Sequence, residues 1–253
     1  MRILLTNDDG IDSPLLAALA AVLDEVGDVD VIAPATDMTA VSRSLSLGGP
    51  IAVDEIRMAD GRTAFSVSGT PADCVRFGSL ALTGATPDVV VSGPNLGINL
   101  GDDVAYSGTV AAALEAALLD LPAAALSQQA SPDGSYDASE LCRFAARLVP
   151  LLGSGALPPS VVINVNAPAG VPRGVRVAPL GRRRYEPLLR PAGEAEGNRR
   201  HYRLYGDVVR LEGEPGTDIA AVAEGFISLT PLRFDLFAED ALAALGALLP
   251  EAV

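Results

Sequence analysis

The chain opens on Arg2-Ile-Leu-Leu-Thr6, a short apolar run that breaks at Asn7-Asp8-Asp9-Gly10 and resumes at once as a helical pattern through Leu15, Leu16, Leu19, Val22 and Leu23. A strand, a polar glycine turn and a helix in that order form the first βα unit of a parallel sheet. Parallel neighbours need long crossover connections, so a chain that begins this way commits to strands and helices alternating in layers. The same unit sets Asp8 and Asp9 at the carboxyl edge of the sheet, where the ligand crevice of open α/β folds lies.

Two adjacent carboxylates at that edge need an explanation. Neighbouring side chains of a strand point to opposite faces, so both acids reach one point only where the backbone has left the extended form, which Gly10 permits. Held close, they repel unless a cation or a proton sits between them. Asp12-Ser13-Pro14 reads as an ordinary helix cap with proline in the first turn, and that cap leaves Asp8 and Asp9 unused. The pair therefore reads as metal ligands.

Strands are predicted at 2–6, 29–33, 63–68, 88–92 and 122–127, and helices at 14–26, 71–82, 109–120 and 138–150. The spacing predicts right-handed βαβ crossovers and a doubly wound, mostly parallel α/β sheet. Thr70-Pro71 marks a helix start as Ser13-Pro14 does. Residues 160–166 read as a further strand. From about 172 to 211 the chain is rich in Arg, Pro, Gly and Tyr and loses helical periodicity, which reads as a β-hairpin arm. A short helix from Thr217-Asp218 through Val222, a strand at 226–230 and a closing Ala/Leu helix at 236–248 complete the chain. The expected organisation is a catalytic core at 1–171, an oligomerisation arm at 172–211 and a C-terminal segment at 212–253 that completes the core.

Composition removes several chemistries. The net charge of −14 opposes a nucleic-acid-coating surface, so no polymer partner is expected. All 18 basic residues are Arg and the single histidine is His201. Without Lys there is neither a Walker P-loop nor a Schiff base. His201 stands in Asn198-Arg-Arg-His-Tyr202, and no Gly-x-Ser-x-Gly elbow accompanies it. Cys74 and Cys142 fall in predicted helices and have no metal-ligand spacing, so they read as buried free thiols. No apolar run is long enough for a membrane span, and the N-terminus enters a strand directly, so the expected setting is cytoplasmic.

A second segment carries chemistry: Val89-Val-Val-Ser92-Gly-Pro-Asn95-Leu-Gly97-Ile-Asn-Leu-Gly101-Asp-Asp103, continuing through Tyr106-Ser-Gly-Thr109 into a helix. Its strand also ends at the carboxyl edge. Asn95 offers a neutral hard oxygen, and Ser107, Gly108 and Thr109 offer free amides and hydroxyls at a helix start, a site suited to phosphate. Asp102-Asp103 reads as structural support for that helix start.

Taken in order, Asn7-Asp8-Asp9-Gly10, Ser68-Gly69-Thr70-Pro71-Ala72-Asp73-Cys74, Ser92-Gly-Pro-Asn95, Leu100-Gly-Asp-Asp103, Tyr106-Ser-Gly-Thr-Val110 and Gly216-Thr-Asp218 resemble the motifs of the SurE family, the stationary-phase survival proteins. The resemblance spans almost the whole chain, to Ser228-Leu-Thr-Pro231. It implies a metal-dependent 5′-nucleotidase with a Rossmann-like core, a swapped C-terminal segment, and a homodimer or homotetramer built through the arm. It further implies one divalent cation per subunit, Mn²⁺ or Mg²⁺, held by Asp8, Asp9, Asn95 and a hydroxyl that falls on Thr39 where the family has serine. Ala35, Thr36, Met38, Ala40 and Val41 depart from the more polar, glycine-containing family loop, and Pro94 stands where an aliphatic residue is common.

On that reading a nucleoside monophosphate is hydrolysed to nucleoside and phosphate, with 5′ esters as the main substrates and 3′ esters and short polyphosphate as further ones. The cation neutralises the acids, polarises the phosphoryl oxygen and activates water. Asp8 is chiefly a ligand, Asp9 the base or water-orienter, and Ser107, Gly108 and Thr109 cradle the phosphate beside Asn95. Aspartyl-phosphate phosphatases and receiver domains both call for a Lys that this chain lacks. The rival from another class is a non-catalytic metal- and nucleotide-binding sensor.

Overall fold

A computed structural model of the chain describes residues 1–185, 189–193, 197–204, 209–212 and 214–248, so parts of the arm and the last five residues lie outside the described ones. The strands are β1 (Arg2–Thr6), β2 (Asp28–Pro34), β3 (Val53–Arg57), β4 (Thr63–Val67), β5 (Val89–Leu96), β6 (Ala123–Gln128), β7 (Val162–Ala167), β8 (Val175–Val177), β9 (Arg182–Tyr185), β10 (Leu189–Pro191), β11 (Tyr202–Leu204), β12 (Val209–Glu212) and β13 (Ile227–Leu232). The helices are α1 (Pro14–Leu23), α2 (Pro71–Phe77), α3 (Gly108–Leu118), α4 (Ser139–Gly153), α5 (Asp218–Ala223) and α6 (Glu239–Leu248).

Among the described residues nine strands form one sheet in the order β3-β4-β2-β1-β5-β6-β7-β13-β8. Strands β4, β2, β1, β5, β6 and β7 run parallel. Strand β3 is antiparallel to β4, and β13 is antiparallel to β7 and parallel to β8. The chain leaves β1 toward β2 on one side and returns to β5 on the other, so the topological switch point lies between β1 and β5.

The apolar strands are buried on both faces. Ile3, Leu5, Val89, Val91, Leu126 and Val165 pack beneath α1 and α4, while Leu4, Val90, Ala123, Ala125 and Val162 pack beneath α2 and α3. This alternation is the period-two pattern of a strand covered on both sides.

The sheet is doubly wound as expected, but one crossover departs from the expected uniform hand. From β5 to β6 to β7 the chain steps the same way across the sheet, yet α3 and α4 lie on opposite faces. Those two connections therefore have opposite hands, and it is the β6–α4–β7 connection that differs from β1–α1–β2. The apolar face of β5–β7 beside α1 supplies the reason: α4 buries Leu141, Phe144, Ala145, Val149 and Leu152 there, a surface α1 alone leaves open.

Other differences are local. The predicted helix at 71–82 is α-helical only to Phe77 and continues as a π turn over Gly78–Leu82. Strand β3 was not predicted, because Val53-Asp-Glu-Ile-Arg57 is a mostly polar edge strand. Strand β8, from the stretch read as arm, belongs to the central sheet, and the arm strands pair as β9 with β12 and β10 with β11. No helix among the described residues is long and apolar enough to cross a membrane.

Candidate active site at the switch point

The first loop is built around Asp8. Its backbone carbonyl accepts from Met38 N–H at 2.7 Å, and Ile11 N–H donates to the Pro34 carbonyl at 2.8 Å, so the loops after β1 and β2 are tied together. Gly10 takes a φ of +95°, the left-handed conformation that turns the two carboxylates out of the strand. The Asn7 side-chain amide donates to the Gly10 carbonyl at 2.9 Å and closes the turn.

Across the switch point, β5 carries a register shift between Ser92 and Asn95 around a cis Gly93–Pro94 peptide. A bulge admits proline in a central strand and re-aims the next side chain. It brings the end of β5 to the first loop, where Leu96 N–H donates to Asp9 Oδ2 at 3.1 Å. The Asn95 side-chain amide donates to the Gly97 carbonyl at 2.9 Å, which occupies its NH₂ and leaves Oδ1 as the end available to a ligand.

Helix α3 starts against Asp8. Thr109 donates twice to that carboxylate, from N–H to Oδ2 at 3.0 Å and from Oγ1 to Oδ1 at 2.5 Å. A Cβ on Gly108 would lie 2.8 Å from Asp8 Cβ and 2.9 Å from its Oδ2, so glycine is what lets the carboxylate touch the helix start. Ser107 caps α3, its hydroxyl accepting from Val110 N–H at 3.1 Å.

The electrostatics match the crowding. Asp8 is 3% exposed, and burial pushes its carboxyl above the ordinary range against the two bonds from Thr109. Asp9 is raised to about 6, first by burial and then by the charge of Asp8. Among the described residues no group of three or more His, Cys, Asp or Glu is placed to hold a metal, so a cation here draws its other protein ligands from neutral oxygens. Two desolvated carboxylates, a primary amide and a hydroxyl form an all-oxygen set that fits Mg²⁺ or Mn²⁺.

A cavity of about 820 Å³ opens at this edge of the sheet and is lined by Asp8, Thr39, Asn95 and Ser107 among others. Asp9, Gly108 and Thr109 do not form its wall. Thr39 is exposed and donates from N–H and Oγ1 to Asp37 Oδ1 at 2.7 and 2.6 Å, leaving the hydroxyl oxygen's lone pairs for a ligand. The loop that carries it is pinned at Ser42, which donates from its N–H to the Tyr106 carbonyl and from its hydroxyl to the Ala105 carbonyl. Thr70 and Asp73, a capping box on α2, hold the far end of the loop by bonding Ser44 and Ser46.

Several supports were not read from the sequence as parts of a site. The fully buried Asp218 accepts from Gly101 N–H at 2.9 Å, Gly181 N–H at 2.7 Å and Ile219 N–H at 2.8 Å, fixing the glycine-rich segment. Asn99 accepts on its carbonyl from Asn164 and Asn166 and donates from its side chain to Ser127. The available signal was two amides inside the apolar strand β7, since buried polar side chains there need partners. Asp102 lies 3.4 Å from the Arg182 guanidinium of the arm.

The described architecture has known counterparts. A model of the family described as survival protein SurE matches residues 3–187. The 5′-nucleotidase SurE of Chloroflexus aggregans is 45% identical over 239 residues, 93% of this chain and 94% of that protein. The 5′-nucleotidase SurE of Deinococcus radiodurans is 41% identical over 251 residues, 98% of this chain and 93% of its own. The crystal structure of the SurE protein from Aquifex aeolicus superposes with a TM-score of 0.82 at 31% identity, covering 98% of this chain and 99% of that one. A family match across most of the chain, near-full-length relatives and a shared fold that brings both acidic and glycine-rich motifs to one switch point lead to a single assignment: the chain belongs to the SurE family.

Proposed function

We propose that the chain is a divalent-metal-dependent phosphomonoesterase that hydrolyses nucleoside 5′-monophosphates to nucleoside and phosphate. The observation that carries the reading is the Asp8–Asp9 pair, desolvated at the switch point and pressed by Asp8 against the start of α3. The near-full-length relatives named 5′-nucleotidase support the same activity.

In this reading Asp8, Asp9, Thr39 and Asn95 hold one Mn²⁺ or Mg²⁺. When bound, that ion supplies positive charge to the phosphoryl oxygens and acidifies water in its shell. Thr109 locks the Asp8 carboxylate in one orientation. Ser107 and Gly108, at the positive end of α3, receive phosphate oxygens as charge develops on them, and Thr109 acts on the site through Asp8. Asp9, the second carboxylate of the pair, orients or takes a proton from the attacking water. The bulge at Gly93–Pro94 keeps Asn95 within the set, and Asp218 and Asn99 hold the loop that follows it.

The active form is further proposed to be a homodimer or homotetramer. Helix α6 buries none of its residues, and Leu242, Leu245 and Leu248 on it are exposed together with Phe237 just before it, an apolar surface suited to a second copy. A light-scattering mass equal to the 25.9 kDa chain would overturn the assembly. The buried free thiols Cys74 and Cys142 suit a reducing, cytoplasmic setting.

The test is phosphate release from 5′-AMP with Mn²⁺, with Mg²⁺ or with excess chelator, on the parent and on Asp9→Asn. Release that needs metal and collapses in the variant is the expected result. Metal and nucleotide binding without turnover of AMP or of a generic phosphomonoester would make the chain a sensor instead.

A further inference from the structure

The cavity is larger and more apolar than phosphate chemistry requires. Its 820 Å³ is far more than a phosphate group fills, and beside Asp8, Asn95 and Ser107 it is lined by Leu96, Ile98, Tyr106 and Leu204. Leu96, Tyr106 and Leu204 are 39, 59 and 65% exposed, so burial in the core does not account for them. Three of the four belong to the segment that also carries Asn95 and Ser107. Leu204 comes from elsewhere, on arm strand β11, more than ninety residues further along the chain. It stands directly across from Leu189 of β10, and directly opposed residues of an antiparallel pair share a face, so the arm presents two leucines side by side.

Resting on the nucleotidase reading, we propose that Leu204 is a specificity-determining residue: the arm supplies with it the wall against which the nucleoside part of the substrate packs, while the switch-point residues take the phosphate. A phosphate monoester with a flat, weakly polar ring matches a cavity lined by both kinds of surface. An aromatic ring over leucine and tyrosine gains contact and loses water on that side, while Asn99, Asp102 and Asp103 supply the polar part of the remaining wall. Leu204 then discriminates nucleotides from smaller phosphomonoesters and, being apolar, does not itself select a base. Since Leu204 is exposed and its strand lies outside the central sheet, its truncation leaves the core intact.

The experiment compares 5′-AMP with ribose 5-phosphate, which carries the same ester without the base, on the parent, Leu204→Ala and Leu204→Met. For Leu204→Ala, kcat/KM on AMP should fall about tenfold, mostly through KM, with ribose 5-phosphate unchanged within about twofold. Inhibition by adenosine, which lacks the phosphate, should weaken by the same factor, and Leu204→Met should restore both. Equal losses on the two substrates would make the arm a support of the phosphate site and overturn the proposal, as would an unchanged AMP value. A parent that hydrolyses AMP and ribose 5-phosphate with equal kcat/KM would leave the phosphatase reading standing and sink this one. A parent that hydrolyses neither would remove both.

Discussion

Replacing Asp218 by alanine should cost far more than a helix cap is worth. The carboxylate is fully buried and accepts three backbone N–H groups, two of them from Gly101 and Gly181, which are 117 and 37 residues away in sequence. Loss of an ordinary cap costs about 1 kcal/mol. Stranding the Gly101 and Gly181 amides without an acceptor costs about 1–3 kcal/mol each, so the sum is about 4 kcal/mol. For a chain of this size that corresponds to a melting point lower by roughly 10 °C. Asp218→Asn keeps one acceptor oxygen but turns an NH₂ toward a backbone donor, and should fall between parent and alanine at about 2 kcal/mol. Urea unfolding followed by far-UV circular dichroism, with chelator present and protein concentration fixed, measures both. A shifted midpoint with an unchanged slope is the expected pattern. An alanine variant within about 0.5 kcal/mol of the parent would refute the clamp, because surface substitutions alone have effects of that size.

Gly108→Ala should weaken Mn²⁺ binding by at least about tenfold and also lower stability in chelator by about 1–3 kcal/mol, since its Cβ would fall 2.8 Å from Asp8 Cβ and force the buried carboxylate off the start of α3. Titration calorimetry reads the affinity, and unchanged binding would mean that Asp8 has room to move. Gly93→Ala should lose about 3 kcal/mol or more, its Cβ meeting the Leu126 carbonyl oxygen in a residue with φ of +118°, and a soluble variant with parental stability would contradict that crowding. The metal-free protein should lose stability as pH rises from about 4 through 6. Burial and mutual repulsion raise Asp8 and Asp9 above their ordinary value, the latter to about 6, so the folded chain holds protons that the unfolded chain has released. Asp9→Asn should flatten that decline in urea midpoints relative to the parent, and saturating Mn²⁺ should oppose it by competing with the same protons. A parent-minus-variant difference that stays constant across the window would show that Asp9 is not desolvated.

The strands and helices that run through the core were legible because each buries side chains at one regular period. The predicted strand at 2–6 and the helix start at Pro71 coincide with β1 and α2 as found. Strand β3 was hidden by the opposite circumstance: an edge strand with Asp54, Glu55 and Arg57 carries little apolar signal, and only its ladder to β4 makes it a strand. The hand of the β6–α4–β7 crossover was equally invisible, since periodicity says that α4 has an apolar stripe and not which face of the sheet lacks cover.

The site divides along the same physical line. Asp8, Asp9 and Asn95 announced themselves because polar residues at the end of an apolar strand are locally anomalous, and a local window is enough to notice them. What orients them is not local: Thr109 lies 101 residues from Asp8, and Leu96 lies 87 from Asp9. Those contacts exist because β1 pairs in parallel with β5, Thr6 standing beside Ser92, so the loop after one strand must meet the loop after the other. Asp218 illustrates the limit. Thr217-Asp218 reads as a cap, and Thr217 does accept from Ala220 N–H, yet the larger task of its neighbour is carried by amides that no sequence window contains. Candidate chemical groups were legible where one residue sufficed to suggest them, and their positioning was not, because it belongs to the pairing of strands. A substitution at Asp218 should therefore disturb this site without touching any residue that the sequence offered as a metal ligand or phosphate contact.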